Sequence, residues 1–484
     1  MAGQVNWEEQ RVCVAGIGIT GVSVATTLLG LGARVTAVDG GAGARLQDRA
    51  DALEAAGAVV RLGDAQTLPQ DSTLVVTSPG WRPDSPLFAA AADRGVPVWG
   101  DVELAWRLRG PDAAEWLAVT GTNGKTTTVR MLASILEAAG LRTAAVGNVG
   151  TPILDAVTSR EPYDVLAVEL SSYQLHWAPS VRAHSAVVLN VAADHLDWHG
   201  SMDAYAADKG RAYEGNRVAC VYNTADPATE RLVRGADVVE GCRAVGFTLG
   251  SPGLSELGVV EGILVDRAFV ENRRTHAQEL AEVTDLAWPT GDEVVDGGVP
   301  GPAPAPHNVA NALAAAALAR AYGVPATAVR DGLRAFRPEA HRIAVVGTVG
   351  GVTYVDDSKA TNPHAAAASL AAFDQVVWIA GGLAKGADFH DLVRRARPRL
   401  RGAVLIGADR HLVRDALTQH APDVPVVDLD QTDTGAMAAA VHAATRLAQP
   451  GDTVLLAPAC ASMDMFVNYG ERGDAFAAAV ADLR

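Results

Sequence analysis

Lysine is the scarcest basic residue of this chain. Of the 40 basic residues among 484, only Lys125, Lys209, Lys359 and Lys385 are lysine, and the other 36 are arginine. A coding bias toward arginine accounts for such a composition. A lysine that persists against the bias nevertheless indicates a position where a planar guanidinium cannot replace a compact primary amine. We therefore treat the four lysines as candidate site residues.

Cysteine pairs and long apolar runs are absent as well. The four cysteines form no CxxC pair and no metal-ligand spacing, which argues against a zinc framework and favours buried free thiols. No segment reaches the roughly 18 to 20 uninterrupted apolar residues of a membrane helix, and the opening MAGQVNWEEQ has no basic or apolar leader region. We expect a cytoplasmic protein without membrane insertion.

Acidic residues outnumber basic residues, 56 to 40. The formal net charge is −16, and this argues against broad nucleic-acid binding, which rests on many cationic contacts to phosphates. An anionic ligand must then find local positive charge in a built site. We expect small-molecule partners, no nucleic acid and a monomeric protein.

The composition that remains is that of an α/β protein, with 49% hydrophobic residues, 48 glycines and 5% aromatics. The length and the recurring strand–helix pattern predict three domains, at residues 1–112, 113–338 and 339–484. Short β-like runs from about residue 216 to 300 predict a small antiparallel addition to the second domain.

The first glycine motif is GIGITG at Gly16 to Gly21, which follows a predicted strand and precedes a helix, with Asp39 after the next strand. Such a loop holds a phosphate at a helix N-terminus. A dinucleotide, another nucleotide diphosphate and a merely tight turn are all compatible with the pattern.

The second glycine motif is GTNGKTTT at Gly121 to Thr128, again between a strand and a helix. It is a shortened phosphate-binding loop, because Val119 stands where the full GxxxxGK[ST] pattern has its first glycine. The pattern predicts that backbone amides and Lys125 face phosphate and that Thr126 is available to Mg²⁺.

Polar residues follow the next apolar strands. Glu169 ends one strand, and the segment NVAADHLDWHG after another carries Asp194, His195, Asp197 and His199. Ligands bind at the carboxyl edge of parallel sheets, and oxygen ligands there suit Mg²⁺. For His176 and His199 a structural role is the stronger interpretation. In HNVAN, Asn308 suits a helix cap or a ligand, and Asn311 favours ligand contact.

The third domain concentrates polar residues in three segments that follow strands: DDSKATNPHA with Asp357, Lys359 and Thr361, GGLAKG with Lys385, and APACASMDMFVNYGER with Ser462, Asp464, Tyr469 and Arg472. We expect the last four side chains to be exposed at the sheet edge, and Met463, Met465 and Phe466 to be core. Ser462 lacks an adjacent base, so it is interpreted as a hydrogen-bond donor rather than a nucleophile.

Together, GTNGKTTT, VELSSYQL, NVAADHLDWH, AADK, HNVAN, AHR, DDSKATN and GGLAKG resemble the Mur ligases over nearly the whole chain. The resemblance implies a Rossmann-like N-terminal domain for a UDP-linked substrate, a central P-loop ATP-binding α/β domain and a Rossmann-like C-terminal domain for the incoming amino acid. Within the family, GIGITGVS, SPG and APACASMDMF resemble the member that adds D-glutamate to UDP-N-acetylmuramoyl-L-alanine. The first glycine loop would then hold the UDP diphosphate and not NAD.

The resemblance assigns site residues. For ATP it implies Gly121, Thr122, Asn123, Gly124, Lys125, Thr126, Thr127, Asn311, Arg342 and Asp357. For the UDP-linked substrate it implies Gly18, Ile19, Thr20, Gly21, Asp39, Ser78, Pro79, Gly80, Asn148 and His195. For D-glutamate it implies Lys359, Thr361, Lys385, Ser462 and Tyr469. For two Mg²⁺ ions it implies Thr126, Glu169, His195 and Lys209, with Lys209 carbamylated.

The resemblance implies a reaction in which the substrate carboxylate and ATP form an acyl phosphate, from which the D-glutamate amine displaces phosphate. The catalytic residues that it implies are Lys125, His195, Lys209 and Lys359. Three alternatives remain: a sister ligase for another amino acid, folylpolyglutamate synthase, and a nucleotide-regulated binding protein with a degenerate ligase fold. The absence of a DNPR-like motif disfavours the diamino-acid enzyme.

Overall fold

The computed structural model describes residues 5–110, 112–287, 304–337, 341–431 and 435–483. The chain divides into two compact units. The first comprises residues 1–282 and 310–335, and the second comprises residues 283–309 and 336–484. The described residues form three sheets with helices between the strands. The α/β prediction is therefore confirmed, and the three domain boundaries stay a prediction.

The first sheet is a five-stranded parallel sheet in the first unit. Its strands are β1 (Arg11–Ala15), β2 (Arg34–Asp39), β3 (Val59–Leu62), β4 (Leu74–Thr77) and β5 (Val98–Gly100). Its helices are α1 (Ile19–Gly30), α2 (Ala44–Ala55), α3 (Pro86–Asp93) and α4 (Asp101–Leu108). The strand order β3-β2-β1-β4-β5 reverses between β1 and β4, which is where doubly wound sheets bind ligands.

The second sheet has nine strands and also lies in the first unit. Its strands are β6 (Glu115–Thr120), β7 (Thr143–Gly147), β8 (Val165–Glu169), β9 (Ser185–Val188), β10 (Ala219–Asn223), β11 (Arg243–Phe247), β12 (Glu256–Val260), β13 (Ile263–Asp266) and β14 (Gln278–Glu282). Its helices are α5 (Lys125–Ala138), α6 (Ile153–Val157), α7 (Ser172–His176), α8 (Leu196–His199), α9 (Met202–Gly210), α10 (Pro227–Arg234), α11 (Pro306–Tyr322) and α12 (Ala326–Ala335). Helix α11 runs across the division between the two units.

The strand order of this sheet is β14-β13-β12-β11-β10-β9-β6-β8-β7. The predicted antiparallel addition is confirmed only for β12 to β14, because β10 and β11 extend the parallel sheet. Helix α10 crosses between β10 and β11, and a helical crossover is what a parallel pair requires. The remainder of that prediction, residues 288–303, lies outside the described residues.

The third sheet forms the second unit. Its strands are β15 (Ala344–Val349), β16 (Val352–Asp356), β17 (Val376–Gly381), β18 (Leu400–Ile406), β19 (Val426–Asp428) and β20 (Thr453–Leu456). Its helices are α13 (Pro363–Leu370), α14 (His390–Ala396), α15 (Arg410–His420), α16 (Ala436–Leu447) and α17 (Tyr469–Ala481). The order β15-β16-β20-β17-β18-β19 places β16, β20 and β17 side by side and parallel, so the loops that follow them share one edge.

Apolar strands explain these sheets. Five strands, β4, β8, β9, β17 and β20, are buried at every residue, as expected for parallel strands covered by helices on both faces. One hydrophobic cluster in the first unit runs from β1 through α4 into β6, β8 and β9, so the first two sheets share a core. No helix among the described residues is long and apolar enough to cross a membrane.

Candidate active site

The second glycine loop, called the phosphate-binding loop below after its predicted role, lies between β6 and α5, where the sequence predicts it. Gly121 and Gly124 adopt φ values of 154° and 83°, a region that L-residues rarely enter. A Cβ at Gly124 would lie within 3.0 Å of Asn311 Oδ1, so the side chain of Asn311 packs directly against the loop. The structure therefore places Asn311 of α11 against this loop, and the resemblance had assigned both to ATP.

Two of the four lysines converge on one carbonyl oxygen of this loop. Lys125 Nζ donates to Gly121 O at 2.9 Å and to Thr122 O at 3.0 Å, and Lys209 Nζ donates to Gly121 O at 2.8 Å. Burial, and then the positive charge of Lys125, hold the pKa of Lys209 well below its ordinary value. The arrangement brings two amines to one carbonyl oxygen of this loop, and burial disfavours the charged form of one of them.

Asn190 and Tyr205 hold the same loop, and the sequence reasoning missed both. Asn190 follows β9; its Oδ1 accepts from Asn123 N at 2.9 Å, and its Nδ2 donates to Asn123 O at 3.1 Å. Tyr205 OH lies 3.0 Å from Thr122 Oγ1. A polar residue at a strand's carboxyl end could have revealed Asn190, whereas nothing in the local sequence distinguishes Tyr205 from a core tyrosine.

Glu169 ends β8 beside the loop and is 1% exposed. Its Oε1 accepts from Asn148 Nδ2 at 2.8 Å, so two residues assigned to metal and to substrate are in direct contact. Within the described residues, nothing hydrogen bonds to Glu169 Oε2. A buried carboxylate oxygen with no partner needs a donor or a cation, and Mg²⁺ prefers such hard oxygen ligands.

His195 precedes α8 in a left-handed conformation, with φ 55°. Its Nε2 lies 3.5 Å from Asp194 Oδ2, and its ring stands 5.0 Å from the ring of Tyr173. No group of three or more His, Cys, Asp or Glu that could hold a metal occurs in the part of the chain that the structure describes.

Residues expected to bind the UDP-linked substrate line a cavity of 260 Å³ in the first unit. Among its lining residues are Ile19, Thr20, Pro79 and Asn148. Ile19 is 73% exposed, which is unusual for isoleucine and consistent with contact to a ligand.

Other residues predicted for this substrate brace its loops. Asp39 accepts from Ile17 N and from Gly41 N, both at 2.9 Å, and thereby ties the first glycine loop to the end of β2. Ser78 Oγ donates to Gly16 O at 3.4 Å, and a Cβ at Gly21 would strike Gly16 O. Gly18 precedes α1 as its N-cap, and Gly80 is exposed after β4.

The second unit gathers the residues predicted for D-glutamate. Lys359 Nζ lies 3.9 Å above the Tyr469 ring. Leu383 and Ala461 exchange backbone hydrogen bonds, and this brings the loop of Lys385 beside the loop of Ser462. Thr361 lies two residues after Lys359 and donates its N–H to Lys359 O at 2.8 Å. The three strand-end loops therefore do converge.

Two side chains expected to be exposed in this unit are buried. Arg472 is 1% exposed, and its guanidinium donates to Ser358 Oγ, Ser358 O and Cys460 O. Ser462 is 4% exposed, whereas Met463, expected in the core, is 61% exposed. These three expectations were therefore wrong. For Arg472 the reason is that it is the fourth residue of α17, so the helix face and not the strand end sets its burial.

Asp357 is also buried, and its Oδ2 accepts from Ser369 Oγ. Burial raises the pKa of Asp357 to about 6, and the Ser369 hydroxyl and Arg342 oppose that rise. Asp357 and Arg342, both predicted for ATP, are therefore close enough to interact electrostatically.

Three family models match the chain in order: the Mur ligase MurD-like N-terminal domain at residues 10–100, the Mur ligase middle domain at 119–319, and the glutamate ligase domain at 341–460. The UDP-N-acetylmuramoylalanine–D-glutamate ligase of Streptomyces avermitilis is 72% identical over 99% of both chains. That of Thermobifida fusca is 59% identical over 97% of both.

Solved structures agree on the fold. The MurF ligase from Thermotoga maritima in complex with ADP matches with a TM-score of 0.57 at 19% identity, covering 93% of this chain and 96% of that one. The UDP-N-acetylmuramate–alanine ligase MurC from the same organism matches with a TM-score of 0.56 at 18% identity, covering 98% and 100%.

Proposed function

The chain belongs to the Mur ligase family, and we infer that it is an ATP-dependent, ADP-forming amide ligase. It joins D-glutamate to UDP-N-acetylmuramoyl-L-alanine in peptidoglycan precursor synthesis, the activity named for relatives 59% to 72% identical to it. The observation that carries this function at the level of residues is the convergence of Lys125 and Lys209 on Gly121 O beside Glu169.

The loop from Gly121 to Thr127 binds the ATP phosphates, with Lys125 as their principal cation. Asn311 supports this role because it packs against Gly124. Arg342 and Asp357 take part in positioning ATP, as the family resemblance implies. Their mutual electrostatic interaction supports that pairing.

Thr126 and Glu169, whose Oε2 accepts no hydrogen bond from the described residues, would hold one Mg²⁺, and His195 with a carbamylated Lys209 would hold a second. When bound, Mg²⁺ would neutralise negative charge on the phosphoryl oxygens. The depressed pKa of Lys209 supports the carbamate, because only a neutral amine adds to the carbon of CO₂, releasing one proton. Arginine at this position could not do so.

The reaction has two steps. The carboxylate of the UDP-linked substrate attacks the γ-phosphorus of ATP, which forms an acyl phosphate and releases ADP. The amine of D-glutamate then attacks the acyl carbon, loses a proton and expels phosphate. Lys125 screens charge in the first step, and the enzyme acts mainly by positioning its substrates.

The carboxylates of D-glutamate bind to Lys359, Lys385, Thr361, Ser462 and Tyr469. The 3.9 Å contact between Lys359 and Tyr469 supports a shared site. The cavity beside Ile19 and Asn148 supports binding of the UDP-linked substrate there. We place the enzyme in the cytoplasm as a monomer without a nucleic-acid partner, where ATP and nucleotide sugars are available.

Phosphate release from ATP tests the function directly. The purified chain is supplied with UDP-N-acetylmuramoyl-L-alanine and with D-glutamate, L-alanine or a diamino acid, each offered singly. D-Glutamate is expected to give the largest release over the control without amine. Equal release with and without D-glutamate would contradict the assignment.

Lys209 variants test the carbamate. Lys209→Arg is expected to lose activity despite its retained charge, and acetate or bicarbonate is expected to restore part of the activity of Lys209→Ala. Full activity in Lys209→Arg would refute the carbamate.

A further inference from the structure

Asp208, the residue before Lys209 on α9, has a carboxylate held from three sides. His176 Nδ1 donates to it at 2.9 Å, His199 Nδ1 donates at 3.0 Å, and Arg211 Nε approaches within 3.2 Å. His176 belongs to α7 and His199 to α8. One side chain therefore joins three helices, and none of these contacts belongs to the ATP, UDP or D-glutamate residues described above.

The two imidazoles are themselves fixed. His199 has no exposed side-chain surface, its Nε2 lies 3.0 Å from Ser172 Oγ, and its ring stacks on Tyr173 at 5.5 Å and 11°. His176 packs edge-on against Trp198 at 5.2 Å. Because both rings are held by other groups, they act as fixed anchors for Asp208 rather than as side chains that follow it.

Two other buried residues of α9 face the phosphate-binding loop. Tyr205 contacts Thr122 Oγ1 at 3.0 Å, and Lys209 reaches Gly121 O at 2.8 Å. Helix α9 has only nine residues, and three of them, Tyr205, Asp208 and Lys209, are buried. The side chain of Lys209 is only 1% exposed and cannot swing freely, so the position of Nζ depends on where the helix backbone is held.

We propose that Asp208 is a positioning residue for Lys209: its contacts to His176, His199 and Arg211 hold α9 so that Nζ stays at the phosphate-binding loop. This inference rests on the proposed function, in which that nitrogen carries a carbamate. Asp208 touches neither nucleotide nor substrate. Its loss should change how readily the carbamate forms, and it should leave the binding sites of ATP and D-glutamate in place.

The test compares Asp208→Asn, which keeps the shape and removes the charge, with Asp203→Asn, an exposed aspartate on the same helix. Carbamate occupancy is read by ¹³C NMR of the ligand-free enzyme in ¹³C-bicarbonate, and activity is titrated against bicarbonate. Replacing a residue that orients a ligand typically costs about 10- to 100-fold. We expect a loss of that size in kcat for Asp208→Asn, with excess bicarbonate restoring part of it and with the KM for ATP and D-glutamate changed less than about threefold.

Asp203→Asn should match the wild type in every measurement. Wild-type occupancy and an unchanged bicarbonate response in Asp208→Asn would overturn the positioning role while leaving the carbamate intact. A wild-type enzyme without any carbamate signal would refute the carbamate itself, and this inference with it.

Should Asp208→Asn fail to fold, His176→Phe takes its place, because it keeps an aromatic ring against Trp198 and removes one donor. The same bicarbonate dependence is then expected, and its absence in a folded His176→Phe would refute the proposal.

Discussion

Gly124→Ala is the sharpest perturbation of the phosphate-binding loop, because two separate costs fall on one methyl group. Gly124 has φ 83°, where a Cβ costs about 1–2 kcal/mol of backbone strain. The same Cβ would lie within 3.0 Å of Asn311 Oδ1, so Asn311 must move. Such overpacking adds about 1–3 kcal/mol, which gives a total loss of about 2–5 kcal/mol in the free energy of unfolding.

Gly140, just beyond the other end of α5, supplies a matched control. It has φ 78°, and nothing lies within 4 Å of a Cβ built on it. Gly140→Ala should therefore lose only the strain of about 1–2 kcal/mol. Because both changes lower the entropy of the unfolded chain equally, the difference between them isolates the contact with Asn311.

Denaturant unfolding followed by tryptophan fluorescence measures the stabilities, and coupled ADP release measures the KM for ATP. Gly124→Ala should raise that KM because it displaces Asn311, and Gly140→Ala should not. In the double variant Gly124→Ala/Asn311→Ala the clash is gone, so a favourable coupling of about 1–3 kcal/mol is expected. Equal stability losses at the two glycines would refute the reasoning.

Three further predictions concern buried groups. In CO₂-free buffer, burial keeps the pKa of Lys209 below its ordinary value of about 10.4, so unfolding takes up a proton at pH values between the two. The free energy of unfolding should therefore rise with pH over that range, and Lys209→Met should flatten the rise in denaturation midpoints. Arg472→Met removes the donor to two buried carbonyl oxygens, so it should lower the free energy of unfolding by at least about 2 kcal/mol. It should also raise the KM for D-glutamate more than that for ATP, and neither effect is expected in Arg472→Lys, which keeps a donor. Cys220 and Cys242 have sulfur atoms 3.9 Å apart, so one equivalent of hydrogen peroxide should join them with release of two waters; mass spectrometry should show loss of the product in Cys242→Ser and its persistence in Cys13→Ser.

The sequence predicted where candidate residues lie whenever their position follows from the pattern of strands and helices. Gly121 to Lys125 lie between the apolar strand β6 and helix α5, which is the position that a phosphate-binding turn requires. Glu169 lies at the end of its strand, as the sequence predicted. The scarcity of lysine pointed to Lys125 and Lys209, which meet at a single oxygen atom.

The structure corrected the predictions that required knowledge of a helix face or of strand pairing. Arg472 and Met463 exchanged their expected places, because α17 turns Arg472 inward while Met463 lies on an exposed loop. The contact between Asn148 and Glu169 depends on the register in which β7 pairs with β8, and local sequence patterns do not specify that register.

What the sequence by itself determined is the set of chemical groups and the order of strands and helices that carries them, because hydrophobic periodicity and turn residues act over a few neighbours. What only the tertiary structure decided is which groups meet. Asp208 looks like any helix aspartate until α7 and α8 bring His176 and His199 to it. Partners that are distant in the chain are chosen by packing, and packing is a property of the whole core and not of any segment.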